Sequence, residues 1–222
     1  MTTTAEMLRN VPYVTSREGE EPDPWSRLTV GLGPDLSMGL AYQDETADDR
    51  GPRGELWERF RQSLDTFGQP TGRPKWRLVH PVRQRKAMRF LRCQVRACPA
   101  KLSSGGYLFL ETADEKPREP GQPVRTGQPP VCLEHAHLAV SLCPRLSKGH
   151  VAFLARKAPL WGVIGTRYRF GSLGLTPLPA EEQLPMPYGH PQLGWFLASQ
   201  LVRELTEYDV VSLDDLKPVA RR

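Results

Sequence analysis

Two short stretches hold all four cysteines of the chain. CQVRAC runs from Cys93 to Cys98, and VCLEHAHLAVSLC, from Val131 to Cys143, adds Cys132, Cys143 and the imidazoles of His135 and His137. Thiolate sulfur and imidazole nitrogen are the ligands that hold zinc in a tetrahedron, and they arrive in pairs from tight turns so that both side chains converge. Cys93-x4-Cys98 supplies one such turn and Cys132-x2-His135 the other. The four residues therefore predict a structural Zn2+ site. Cys132 falls just before a run with helical spacing (Leu138, Ala139, Leu142, Leu146), so the second pair sits at a helix N-terminus, whose partial positive charge favours thiolate. At a rise of about 1.5 Å per residue, Cys143 on that helix would lie roughly 12 Å from His135, and it reads as a core thiol. His137 and Cys143 stay open as alternatives for the fourth ligand.

A catalytic metal needs an open position and a base beside it, and the neighbouring residues do not supply them. Zinc deaminases pair His-x-Glu or Cys-x-Glu with a later Pro-Cys-x-x-Cys; here Cys93 is followed by Gln-Val, and Pro130-Val131-Cys132 breaks the second half. A nuclease of the HNH type needs a histidine between the two turns and commonly an asparagine, but residues 99 to 131 contain no histidine and the only asparagine is Asn10. The glycines of GVIGTRYRFGSLG lack the Gly-Lys-Ser/Thr ending of a phosphate-binding loop. His80, His150 and His190 stand alone along the chain. The cluster Asp44, Glu45, Asp48 and Asp49 reads as an exposed acidic loop, with divalent-ion chelation or acid and base chemistry as its alternative.

The net charge of +5 is unevenly spread. Residues 1 to 65 are rich in acid, whereas Arg73 to Arg96 contains no acidic residue and nine cations. Such a local field attracts phosphates or an acidic protein face. Because Arg83, Arg85, Lys86, Arg89 and Arg92 directly precede the first cysteine, they are the candidate contacts to DNA or RNA. The alternatives are a protein scaffold, recruiting a partner through the acidic N-terminal region or the Pro-rich stretch 113–130, and an enzyme of specialised metabolism using an open zinc position or the acidic cluster.

These residues must be positioned by elements that the chain patterning predicts. At 222 residues the chain can bury a core without staples, and 22 prolines, 19 glycines and a mean hydropathy of −0.48 predict a loop-rich globular protein. No apolar run is long enough to span a membrane, and the first residues show no secretory pattern; the expected compartment is the cytoplasm, where thiols stay reduced. Strands are predicted at 28–32, 38–42 and 107–112, with two more in 150–170 turning near Ala158-Pro159. Helical spacing marks 54–68 (Leu56, Trp57, Phe60, Leu64, Phe67), 82–94, 133–146 and a C-terminal helix bearing Leu193, Phe196, Leu197, Leu201 and Leu205. The resulting expectation is an α+β fold: a small antiparallel sheet with flanking helices and a central zinc-ribbon or treble-clef-like subdomain. Its parts are a flexible or extended arm (1–25), a strand-turn-strand with an amphipathic helix (26–79), the zinc-knuckle subdomain (80–150), and strands plus a C-terminal helix (151–222).

GLAYQDE with the acidic stretch after it, ELW, VHPVRQRKAM, LRCQV, PPVCLEHAHLAVSLCP and GVIGTRYR together resemble an uncharacterised family of actinobacterial proteins widespread in streptomycetes, some called phage-like. The similarity runs from about residue 38 to 170. In that family both knuckles are usually Cys-x2-Cys. Here Cys98 is displaced and His135 stands in place of a cysteine, which keeps four potential ligands. The resemblance implies a cytosolic zinc-binding accessory or regulatory protein and brings no activity with it.

Overall fold

The computed structural model describes residues 10–24, 26–33, 36–102, 105–113, 122–179 and 184–216. In chain order the elements are β1 (Thr15–Arg17), β2 (Leu28–Leu32), β3 (Met38–Tyr42), β4 (Leu56–Trp57), β5 (Pro74–Val79), α1 (Pro81–Arg89), β6 (Tyr107–Thr112), β7 (Val124–Thr126), α2 (Leu133–Leu142), β8 (His150–Lys157), β9 (Leu160–Gly171), β10 (Gly174–Pro177), β11 (Met186–Pro187), β12 (Phe196–Leu205) and β13 (Glu207–Val211). Strand makes up 42% of the described residues and helix 16%. The expected helix-flanked α+β architecture with a zinc-ribbon or treble-clef-like centre is therefore corrected: the protein is mostly β. No helix among the described residues is long and apolar enough to cross a membrane.

The largest sheet runs β10-β9-β12-β4, with β11 added on β9 and β7 on β12. Its centre is the long antiparallel pair β9 and β12, and β4 joins β12 in parallel. The two backbones pass so closely that a Cβ at Gly165 would lie 2.0 Å from the Leu197 carbonyl oxygen. A second sheet, β13-β8-β6, carries the cysteine-bearing segments, and β2-β3 and β1-β5 form two-stranded ribbons. Because β6 pairs with β8, and β8 with β13, the sheet beneath the knuckles is completed by residues 150–157 and 207–211.

Two predicted helices are strands or loop, and the cause is visible in the packing. In β12 the register slips between Ala198 and Gln200, and such a bulge inserts an extra residue into the two-residue alternation. Phe196, Ala198 and Leu201 then meet one core cluster with Met88 of α1, Leu197 meets a second with Leu40 and Leu56, and Leu205 a third with Phe109 and Phe153. A helix would have turned these residues to one face; the strand is buried on both faces, so its apolar residues imitate helical spacing. The 54–68 segment fails likewise: Leu56 and Trp57 go to different clusters, and Phe67 is left 86% exposed.

The helices that do form have local start signals. Pro81 opens α1, and the His80 ring accepts from the Arg83 amide at 3.4 Å. The described part of the predicted arm, residues 10–24, is extended but anchored. Its β1 pairs with β5, and Glu20, 1% exposed, is gripped by Arg83 from two guanidinium nitrogens at 2.6 and 2.7 Å. Arg83 also donates to the carbonyls of Tyr13 and Thr15.

Candidate metal centre

The first pair of ligands sits on a loop that leaves α1 and closes on itself. Cys93 N donates to the Cys98 carbonyl at 2.9 Å and Ala97 N to the Cys93 carbonyl at 2.7 Å. Fitting four residues between the ligands puts Ala97 in the left-handed region, with φ of 54°, a conformation that costs a non-glycine residue energy and persists only where its surroundings impose it. The surroundings do so here. Tyr13 N bonds to the Val95 carbonyl, Val14 N to that of Gln94, and Gln94 N to that of Pro130, so the arm and the approach to α2 clamp the loop from two sides.

The second pair comes from the start of α2. Val131 N bonds to the Leu108 carbonyl at 2.8 Å, pinning the chain to β6 just before Cys132, which is the N-cap residue of α2. His135 lies on the first turn. The four donor atoms of Cys93, Cys98, Cys132 and His135 all fall within 4.8 Å of one another. With zinc bonds of about 2.3 Å to sulfur and 2.0–2.1 Å to nitrogen, a tetrahedron separates two sulfurs by about 3.8 Å and a sulfur from a nitrogen by about 3.6 Å. The Cys98–Cys132 sulfurs are 3.7 Å apart, and His135 Nδ1 is 3.5 Å from the Cys93 sulfur and 3.6 Å from that of Cys98. The Cys132–His135 separation, 3.0 Å, is shorter. This Cys3His group can hold a metal ion and is compatible with zinc.

Electrostatics around the sulfurs suit a cation. Hydrogen bonding from Cys132, with the amides of Val95 and Arg96 adding to it, outweighs burial and draws the Cys93 thiol down to about 5. Its charge then opposes a second ionisation: the hydrogen-bonded Cys93 and burial raise Cys132, and burial and the Cys93 charge raise Cys98. A divalent ion would remove that mutual opposition. Cys93 is fully buried and packs with Val95, Leu108, Leu110, Val131, Leu133 and Ala136, so the site forms part of the core on one face of β6. Neither alternative ligand joins it. His137 is exposed on α2, and Cys143, half-buried, caps the far end of that helix. Among the described residues no other group of three or more His, Cys, Asp or Glu could hold a metal ion.

The acidic cluster is occupied by arginines. Arg59 holds Asp49 through two bonds of 2.7 Å and Asp44 through one of 2.9 Å, and Arg50 holds Glu45. Hydrogen bonds from Arg59 outweigh burial and bring the Asp49 carboxyl down to about 2. His80 is buried with Nε2 3.1 Å from the Arg61 carbonyl oxygen, and burial lowers its pKa. The His150 ring faces the Leu146 carbonyl, and His190 accepts from the Gln192 amide in its own turn.

The five cations chosen as phosphate contacts have different fates. Arg83 is buried against Glu20 and cannot reach a ligand. Arg85 is half-buried with its guanidinium 4.6 Å above the Trp57 ring. Lys86, Arg89 and Arg92 are exposed and form no ion pair with a described residue. Spacing along the chain missed one further group, a cleft that gathers Arg53, Glu55 and Tyr188 beside Arg85; these residues are remote in sequence and share no motif. No family model, curated protein or solved structure matches this chain, so its function is read from its own residues.

Proposed function

We propose that the protein is a zinc-binding accessory or regulatory protein in which a closed structural site holds a basic segment against nucleic acid. Four protein ligands fill a tetrahedron and leave no position for substrate, which favours a structural over a catalytic metal. Zinc bound there would tie the loop after α1 to the start of α2, and so fix the position of the cations that precede Cys93. The carrying observation is that Lys86, Arg89 and Arg92 are exposed, unpaired with any described carboxylate, and end on the first ligand. Reduced thiols and bound zinc fit the cytoplasm.

The test is a titration with duplex DNA at two salt concentrations. Three phosphate contacts predict a slope of log K against log salt of about −2.7, hence about a 40-fold loss between about 50 and 200 mM. Lys86→Gln with Arg92→Gln should flatten that slope by about 1.8. Absence of binding at the lower salt concentration would sink the proposal.

A further inference from the structure

The cleft between the turn 47–55 and α1 is built from arginines stacked on aromatic rings. The Arg53 guanidinium lies 4.3 Å from the Tyr188 ring centroid, and that of Arg85 lies 4.6 Å from the Trp57 centroid. Arg89 follows Arg85 at i+4 and lines the same cleft. None of these three guanidinium groups donates a hydrogen bond to a described residue, although stacking fixes two of them in place. Arg50, on the same wall, is different: it is fully engaged by Glu45 and by the carbonyls of Leu40 and Gly54.

The one buried acid of the cleft, Glu55, is 2% exposed, and its oxygens accept from the Tyr188 hydroxyl at 3.0 Å and the Arg53 amide at 3.0 Å. It holds the ring on which Arg53 rests. Gly51 is required for this arrangement, because a Cβ there would sit 2.2 Å from the Glu55 carboxylate. Three cations thus face one buried carboxylate and the exposed Asp48, a surplus of positive charge in a partly desolvated space. Burial weakens the hold of Arg85 on its proton; Glu55 opposes this, and the repulsion of Arg89 adds a smaller push in the same direction as burial. An anion between the two guanidiniums would relieve that repulsion.

Size and charge select the ligand. The cleft encloses about 190 Å³, below the range of about 300–1,000 Å³ typical of sites for whole small molecules but ample for one tetrahedral oxyanion with a few waters. Guanidinium groups match the planar, two-point geometry of phosphoryl oxygens, and the negative charge of a phosphoryl group offsets the surplus. We propose that this cleft binds a single phosphoryl group through Arg53, Arg85 and Arg89, either as a free oxyanion or as the terminal phosphate of a nucleic acid strand. The site shares Arg89 with the basic segment but uses neither the metal cluster nor Lys86 and Arg92, so the Arg53→Ala variant tests it without altering the contacts proposed above.

Calorimetric titration of the full, zinc-loaded chain with inorganic phosphate tests it. Binding with a dissociation constant of about 1 mM or tighter is expected, weakened about tenfold or more in Arg85→Met. Because Arg85 covers Trp57, Arg53→Ala on the exposed rim provides a second variant, expected to weaken binding several-fold without touching the core. Two strands of about 12 nucleotides, identical except for a 5′-phosphate, identify the source. Tighter binding of the phosphorylated strand, lost in Arg53→Ala, assigns the cleft to strand ends; equal binding of both strands, with inorganic phosphate still bound, assigns it to a free oxyanion. No phosphate binding at about 10 mM, or an affinity unchanged in Arg53→Ala and in folded Arg85→Met, overturns the assignment.

Discussion

Removing one sulfur from the cluster should separate the four ligands from the fourth cysteine, Cys143. Structural zinc sites contribute about 10–16 kcal/mol of binding free energy. Shared evenly among the four donors, that energy makes each ligand worth about 2.5–4 kcal/mol. Cys98→Ala should therefore lower zinc affinity by about 100- to 1,000-fold. Cys143→Ala should leave it unchanged, because Cys143 lies at the opposite end of α2 from Cys132. His135→Cys replaces one good zinc ligand by another and should retain the metal, whereas His135→Ala should behave like Cys98→Ala. The assay is competition for zinc with a chromophoric chelator, together with metal analysis by mass spectrometry on protein purified without a metal-affinity step. Wild-type affinity in Cys98→Ala, or an equal loss in Cys143→Ala, would refute the assignment. Chelation of the native protein should also lower its unfolding midpoint, since the cluster is embedded among Leu108, Val131 and Ala136.

The anchoring of the N-terminal segment and the acidic turn give two further predictions. Burial pushes the Glu20 carboxyl up, but hydrogen bonds from Arg83, Ser63 and Arg17 outweigh it and hold the carboxyl below its ordinary value; Glu20→Gln leaves Arg83 buried without its counter-charge and should cost about 3–5 kcal/mol in urea unfolding, with the double change to Glu20→Gln and Arg83→Met recovering part of the loss. Asp49 has a folded pKa of about 2 against an ordinary 3.8, so its contribution of about 2 kcal/mol is fully present above pH about 4 and fades as pH falls towards 2. The stability gap between wild type and Asp49→Asn should accordingly narrow over that interval, and a gap constant with pH would contradict the Arg59–Asp49 pairing.

Much of the metal site was legible because its signal is local in each half. Cys93-x4-Cys98 and Cys132-x2-His135 are turn-sized spacings, Cys132 precedes a true helix, and the intervening β6 has an apolar run that a strand explains. Strands β2, β3, β8 and β9 were readable for the same reason. The basic segment was legible as charge but not as surface: all five cations lie between Arg83 and Arg92, yet Arg83 turns inward to Glu20 and Arg85 onto Trp57, while Lys86, Arg89 and Arg92 face solvent. Helical periodicity says which side chains share a face; it does not say which carboxylate or ring, dozens of residues away, will cover that face.

What the amino-acid sequence determined alone is the chemistry of the candidate ligands, their grouping into two turns and the presence of a helix beginning near residue 82, because each depends on neighbours within a few residues. The tertiary structure decided the rest. It made a strand of 196–205 by burying both faces and inserting a bulge, and it brought His135, rather than His137 or Cys143, within 4.8 Å of the other three donor atoms. It also assembled the arginine cleft from positions as far apart as Arg53 and Tyr188. These outcomes rest on contacts between segments remote in the chain, and the free energy of such contacts overrides local propensity wherever the two disagree.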